Sequence, residues 1–187
     1  MKHVLLILIA FLCFACGSKS DKVAYKDAQL PVEERVSDLL KRMTLKEKVA
    51  QMHCVWNDKN TLLLDSAGNF DAAKAKKNFV DGLGQVGRPS DTKGGIDPYQ
   101  TVVLTNAIQK YFVEETRLGI PVFYHEECLH GHAAKGATSF PQPIGLAGTF
   151  NPELVEEVYT LVAKEARLRG AHQALSPVVD IARDPRW

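Results

Sequence analysis

The sequence carries almost no surplus charge. Across 187 residues the formal net charge is +1, and setting Lys2 aside leaves 22 basic against 22 acidic residues. Nucleic-acid binding would call for a basic stripe with interleaved aromatics, and no such stripe is visible. The lysine cluster Lys74, Lys76 and Lys77 reads as the solvated face of a helix. No apolar run reaches the roughly 20 residues needed to cross a bilayer; the run at 4–14 is about eleven. A G-x-S-x-G elbow, a phosphate loop, internal repeats and low-complexity segments are all missing, so nothing points to an α/β-hydrolase nucleophile elbow or a P-loop.

Cysteine is scarce as well: Cys13, Cys16, Cys54 and Cys128. The first two fall in a segment that reads as an export signal, residues 1–15. Lys2 and His3 give the basic start, the apolar run follows, and Ala15 precedes Cys16. A small residue before cysteine suggests a bacterial lipoprotein signal with Cys16 as the lipidated residue. Plain secretion is the other reading, since Cys13 stands where such signals usually carry Leu. Residues 16–30, with Ser and Lys over 17–22, would then be a tether. The expectation is an exported protein of a Gram-negative bacterium, periplasmic or held at the outer membrane through Cys16. Cleavage would leave Cys54 and Cys128, too few for a disulfide framework and better read as buried free thiols.

From Pro31 the pattern is helical. Val32, Val36, Leu39, Leu40 and Met43 recur at three- and four-residue steps. Thr44 to Glu47 is a T-x-x-E capping box that restarts a helix over 45–52. Residues 56–69 read as loop, 70–80 as a helix, 83–86 as a short strand and 98–116 as a long helix. That long helix should bury Val102, Val103, Ala107, Ile108, Tyr111 and Phe112. A buried strand is expected over 120–124 and another over 174–181. Between them Asn151-Pro152 starts a helix that stops at Gly170. Strands separated by helices imply a parallel sheet and the α/β class.

Two motifs are decoys. The G-x-G-x-x-G string at 82–87 follows a helix and precedes Arg88-Pro89-Ser90, the reverse of a dinucleotide site, and reads as a turn. His125-Glu126 lacks a second histidine four residues on, where Leu129 stands. The His125, Cys128, His130, His132 group lies at a strand end without ligand spacing, so no metal and no cofactor are expected.

The informative groups are those after the two clear strands. His125, Glu126, Glu127 and His130 follow one; Arg183, Asp184 and Arg186 follow the other. In a parallel barrel these ends form the mouth. Carboxylates, arginines and a tryptophan there suit a neutral, hydroxyl-rich ligand, a sugar. A structural salt-bridge network is equally open on these residues alone.

Four blocks, PVEERVSDLLKRMTLKEKVAQM, RLGIPVFYHEECLHG, GATSFPQPIGLAGTFNPELVEEV and ALSPVVDIARDPRW, resemble the N-terminal part of glycoside hydrolase family 3 in its own order. The family comprises β-glucosidases and β-xylosidases. The resemblance implies a partial (β/α)8 TIM-like barrel over 31–187 and retaining hydrolysis of terminal β-D-glucosyl or β-D-xylosyl residues. Its substrate would be an oligosaccharide or an aryl β-glycoside. It implies Glu127 as a sugar ligand, where many members carry Asp, with His130 and Gly131 shaping the turn and Arg183, Asp184 and Arg186 ordering the site floor. The Glu leans towards the xylosidase-like branch.

Retaining hydrolysis needs two carboxyl groups roughly 5–5.5 Å apart. The family places both on later segments, so neither Glu126 nor Asp180 takes either role. A barrel also takes about 250 residues. The chain therefore reads as the inactive leading piece of a longer product. Two alternatives stay open here, a non-catalytic sugar-binding lipoprotein and the family's β-N-acetylglucosaminidase branch.

Overall fold

The computed structural model describes residues 23–178, 181 and 183–186. The signal segment, Cys16 and Asp180 lie outside the described residues. The chain divides into two compact units, one up to Met43 and one from Thr44.

In the first unit a 3-10 turn, Ala24–Lys26, precedes helix α1, Val32–Arg42. Asp38 accepts from the Tyr25 amide (3.1 Å), and Arg35 Nε donates to the Tyr25 carbonyl (3.1 Å). Arg42 pairs with Asp38 one turn away.

The second unit begins with the expected box. The Thr44 hydroxyl accepts the Glu47 amide, and the Glu47 carboxylate accepts the Thr44 amide (2.8 Å) to open α2, Leu45–Ala50. Then come β1 (Cys54–Val55), α3 (Lys59–Leu62), α4 (Ala72–Asn78), β2 (Gln85–Gly87) and a 3-10 turn, Pro89–Gly94. Next are α5 (Pro98–Glu115), β3 (Phe123–Glu127), α6 (Pro143–Ala147), α7 (Pro152–Leu168) and β4 (Gln173–Leu175).

All three ladders are parallel, and the strand order is β1-β2-β3-β4. Sequential order means that each crossover advances in the same direction, as in a barrel wall. A doubly wound sheet instead reverses at a switch point. Val55, Val86 and Tyr124 are register partners and join Leu104, Ile108 and Phe112 in one apolar core. The Tyr124 hydroxyl donates to the Thr105 carbonyl of α5 (2.8 Å), so this is the helix-covered face. Side chains alternate along a strand. Cys54, Gln85, Phe123, His125, Glu127, Gln173 and Leu175 therefore share the opposite, uncovered face. A second core of Cys128, Leu146, Val158, Val162 and Ala166 joins α6 and α7 to the end of β3.

Several boundaries move from their expected places, each for a tertiary reason. Strand β3 runs Phe123–Glu127 rather than 120–124. Pro121 has no amide to donate. Val122 is taken by the Gln109 side chain, which donates to its carbonyl (2.7 Å) and accepts its amide (2.8 Å). His125, Glu126 and Glu127 are thus strand residues. Strand β4 is Gln173–Leu175, shorter than 174–181 and ending before Pro177.

Helix α4 starts at Ala72 because the Asp71 carboxylate accepts the Ala73 and Lys74 amides. The expected loop 56–69 holds α3 and the fully buried Leu63 and Leu64. The first strand, β1, has only two residues and no periodicity to reveal it. Strand β2 sits two residues late because the Gly84 amide bonds to the Ala50 carbonyl (3.0 Å). A Cβ on Gly84 would lie 2.0 Å from the Gln51 carbonyl oxygen.

In α5 Val103 is 51% exposed, while Thr101 and Thr105 are buried. Their hydroxyls donate to the Asp97 and Val102 carbonyls, which removes the cost of burying them.

Candidate active site

Glu127 is the last residue of β3 and lies on the uncovered face. It is half-buried, and its backbone carbonyl accepts the Ala133 amide (2.8 Å). Among the described residues its carboxylate has no hydrogen-bond or salt-bridge partner. Two residues back on the same face, His125 Nδ1 lies 3.1 Å from Gln85 Oε1. The imidazole fills the space over Gly87, where a Cβ would approach Nε2 to 2.7 Å. Glycine at that register position gives His125 its place on the sheet.

His130 contributes its carbonyl to the Phe140 amide (2.7 Å). Gly131 next to it has φ +107, and a Cβ there would lie 2.1 Å from the Thr138 carbonyl oxygen, so this turn demands glycine. Cys128 is fully buried, and desolvation with neighbouring carboxylates pushes its thiol up to about 11. That makes it an inert packing residue, whereas Cys54, expected to be buried as well, is exposed.

Arg183, Asp184 and Arg186 are exposed. Arg186 closes a fork on Asp184 (2.6 and 2.8 Å), which holds that carboxyl below its ordinary value. Among the described residues no hydrogen bond or ion pair ties this turn to Glu127.

The rim contains a second cluster that strand-end reasoning on β3 and β4 did not reach. Asp91, in the turn after β2, accepts from the buried Lys59 Nζ (2.6 Å) and from Trp56 Nε1 (3.0 Å). Arg88 Nε lies 3.3 Å from Asp91 Oδ2, the oxygen that accepts from Trp56, and its guanidinium sits 5.3 Å from the centre of the Trp56 ring. Arg88 adopts φ +46, an unusual backbone for a side chain of this size. Lys59 and Asp91 are 32 residues apart, with nothing in the sequence to link them. Arg88 was within reach of the strand-end rule, but the glycine string before it reads as a turn.

The rim thus combines a carboxylate without a partner among the described residues, an imidazole, an indole and a fixed cation–carboxylate set. Such a surface can accept from and donate to hydroxyl groups without carrying one sign of charge. Against known proteins, residues 44–187 match the model of the glycosyl hydrolase family 3 N terminal domain. The chain belongs to glycosyl hydrolase family 3.

Among curated members of family 3, a protein named putative beta-xylosidase from Formosa agariphila is 38% identical over 164 residues. Beta-glucosidase C of Emericella nidulans is 34% identical over 171 residues. Each comparison covers 87% of this chain, but 21% and 26% of the relative. The chain thus spans about a fifth to a quarter of the length of these family 3 relatives. The periplasmic beta-glucosidase of Salmonella typhimurium is 33% identical over 152 residues. Among solved structures, a mutant beta-glucosidase from Listeria innocua in complex with laminaribiose matches with a TM-score of 0.61 at 28% identity. That match covers 83% of this chain and 20% of the other.

Proposed function

We propose that this chain forms the opening wall of an exported retaining β-glycosidase acting on terminal β-D-glucosyl or β-D-xylosyl residues, with Glu127 as a direct sugar ligand. The observation that carries the reading is the Glu127 carboxylate, half-buried on the uncovered face at the C-terminal end of β3 with no protein partner among the described residues. A strand end of a parallel barrel is where ligands are met. A carboxylate with free acceptor sites can take two hydroxyls of one sugar. The names of the family 3 relatives support the glucosyl and xylosyl classes. His130, Arg183, Asp184 and Arg186 shape the ground around it. By the family resemblance neither the nucleophile nor the acid/base group is among these 187 residues, so the polypeptide by itself binds sugar weakly and cleaves none. Relatives named as periplasmic support export; the assignment of Cys16 as the lipid-bearing residue rests on the signal pattern of the sequence alone.

The test is chemical-shift mapping with methyl β-D-xyloside and methyl β-D-glucoside. Weak, graded shifts are expected at His125, Glu127 and Leu175, and are lost in Glu127→Ala. Shifts on the helix-covered face, or shifts indifferent to that substitution, overturn the assignment. No p-nitrophenol should be released from aryl β-glycosides. Labelling cells with a fatty acid should mark the wild-type chain and leave Cys16→Ala unmarked.

A further inference from the structure

Glu126 places a carboxylate where the wall has no evident need of charge. It lies on the helix-covered side of β3, the side of Tyr124, and is 1% exposed. Its Oε1 accepts the Ser90 amide (3.0 Å), and its Oε2 accepts the Ser90 hydroxyl (2.8 Å). The buried His132 brings Nε2 to 3.4 Å from the same Oε2. An apolar side chain of similar volume would meet the packing need without desolvating a carboxylate. What the carboxylate adds is direction, since both its oxygens take a donor from one residue of a neighbouring loop, with His132 standing beside the second.

That loop is the one on which the rim depends. Ser90 sits in the turn Pro89–Gly94, between Arg88 and Asp91, with Pro89, Ser90 and Thr92 all buried. Asp91 reaches one way, to Trp56 and Lys59 after β1. Ser90 reaches the other way, to β3. The alternation of β3 then sets Glu126 and Glu127 back to back: one grips the turn, the next faces the uncovered side.

We propose that Glu126 is a positioning residue that fixes the Arg88–Asp91 turn to β3 and so sets where Asp91 and the Trp56 indole stand relative to Glu127. Its importance for ligand binding rests on the reading of Glu127 as the sugar ligand. The lock itself can be measured without a sugar.

The experiment uses the whole chain in a Trp187→Phe background, which leaves Trp56 as its single tryptophan. Two quantities are followed, the hydrogen exchange of the Ser90 amide and the emission of Trp56. Glu126→Ala is expected to accelerate Ser90 exchange about tenfold and to red-shift Trp56. Glu126→Gln keeps an oxygen for the Ser90 amide and should stay near the parent on both. A folded Glu126→Ala chain with unchanged exchange and emission overturns the proposal. So does a Gln variant as disturbed as the Ala variant, because acceptor geometry would then not be what matters. Should Glu126→Ala fail to fold, Ser90→Ala, which removes one bond, must shift Trp56 in the same direction; no shift overturns the lock. A parent chain that shows no glycoside-induced shifts removes the sugar reading and leaves these two measurements to decide the lock.

Discussion

Glu47 closes the α2 capping box and also accepts two bonds from Arg117, 70 residues away, at 2.8 and 2.5 Å. The paired guanidinium holds its carboxyl well below the usual range, at about 2, although the group is only 6% exposed. A depressed folded value means stability that is complete above the ordinary carboxylate value of 4.5 and lost as pH falls through about 2. Arg117→Ala should therefore cost about 1–3 kcal/mol near neutral pH, since Arg117 is half-exposed and water can partly replace it. Urea midpoints of the two proteins should converge as the pH is lowered below 4.5. Gly131→Ala is expected to cost about 1–3 kcal/mol or more, from its positive φ and the blocked Cβ site together. Thermal or urea unfolding of that variant checks it.

Between elements, β3 is held at its start by side chains as well as by ladder bonds. Gln109 takes both backbone groups of Val122, and His172 Nδ1 accepts the Tyr124 amide (3.0 Å) while its ring stacks on Tyr124. Removing the first with Gln109→Ala should destabilise the chain by about 1–3 kcal/mol, measurable by urea unfolding, because two partly buried backbone groups lose their partners. The second is sensitive to pH. Partial desolvation, and to a lesser degree the Arg167 charge, lowers the His172 value from its ordinary 6.5. Only the neutral ring can accept at Nδ1, so this contribution is full above 6.5 and falls away as the pH drops through the lower folded value. Unfolding midpoints measured from pH 7.5 to about 5 should decline in the wild type. The decline should be smaller in His172→Asn, whose amide oxygen accepts without titrating.

At the scale of the whole molecule, the four-stranded wall presents β1 and β4 as its edges among the described residues. Unpaired parallel edges invite strand addition. The 187-residue polypeptide should therefore self-associate as its concentration rises in sedimentation velocity, and Leu175→Lys at the β4 edge should reduce that association. The sequential strand order matters for function as well, because it brings the ends of β1, β2 and β3 to one rim. Trp56, Arg88 and Asp91 interact there, and Glu127 ends β3 at the same rim, although the four span 72 positions of the chain.

Local chemistry made much of this legible in advance. The Thr44–Glu47 box, Asn151-Pro152 at the start of α7, the parallel α/β class and the placing of Glu127 near a strand end all follow from side chains acting on neighbours within a few residues. What the tertiary structure decided is pairing. A two-residue strand such as β1 exists only because β2 lies beside it, and β3 begins at Phe123 because Gln109 occupies Val122. A parallel ladder draws its partners from 30 or more residues away, and side chains on it alternate with a period of two. That register is what turns Glu126 towards Ser90 and leaves Glu127 on the uncovered face, a distinction two adjacent identical residues cannot carry by themselves.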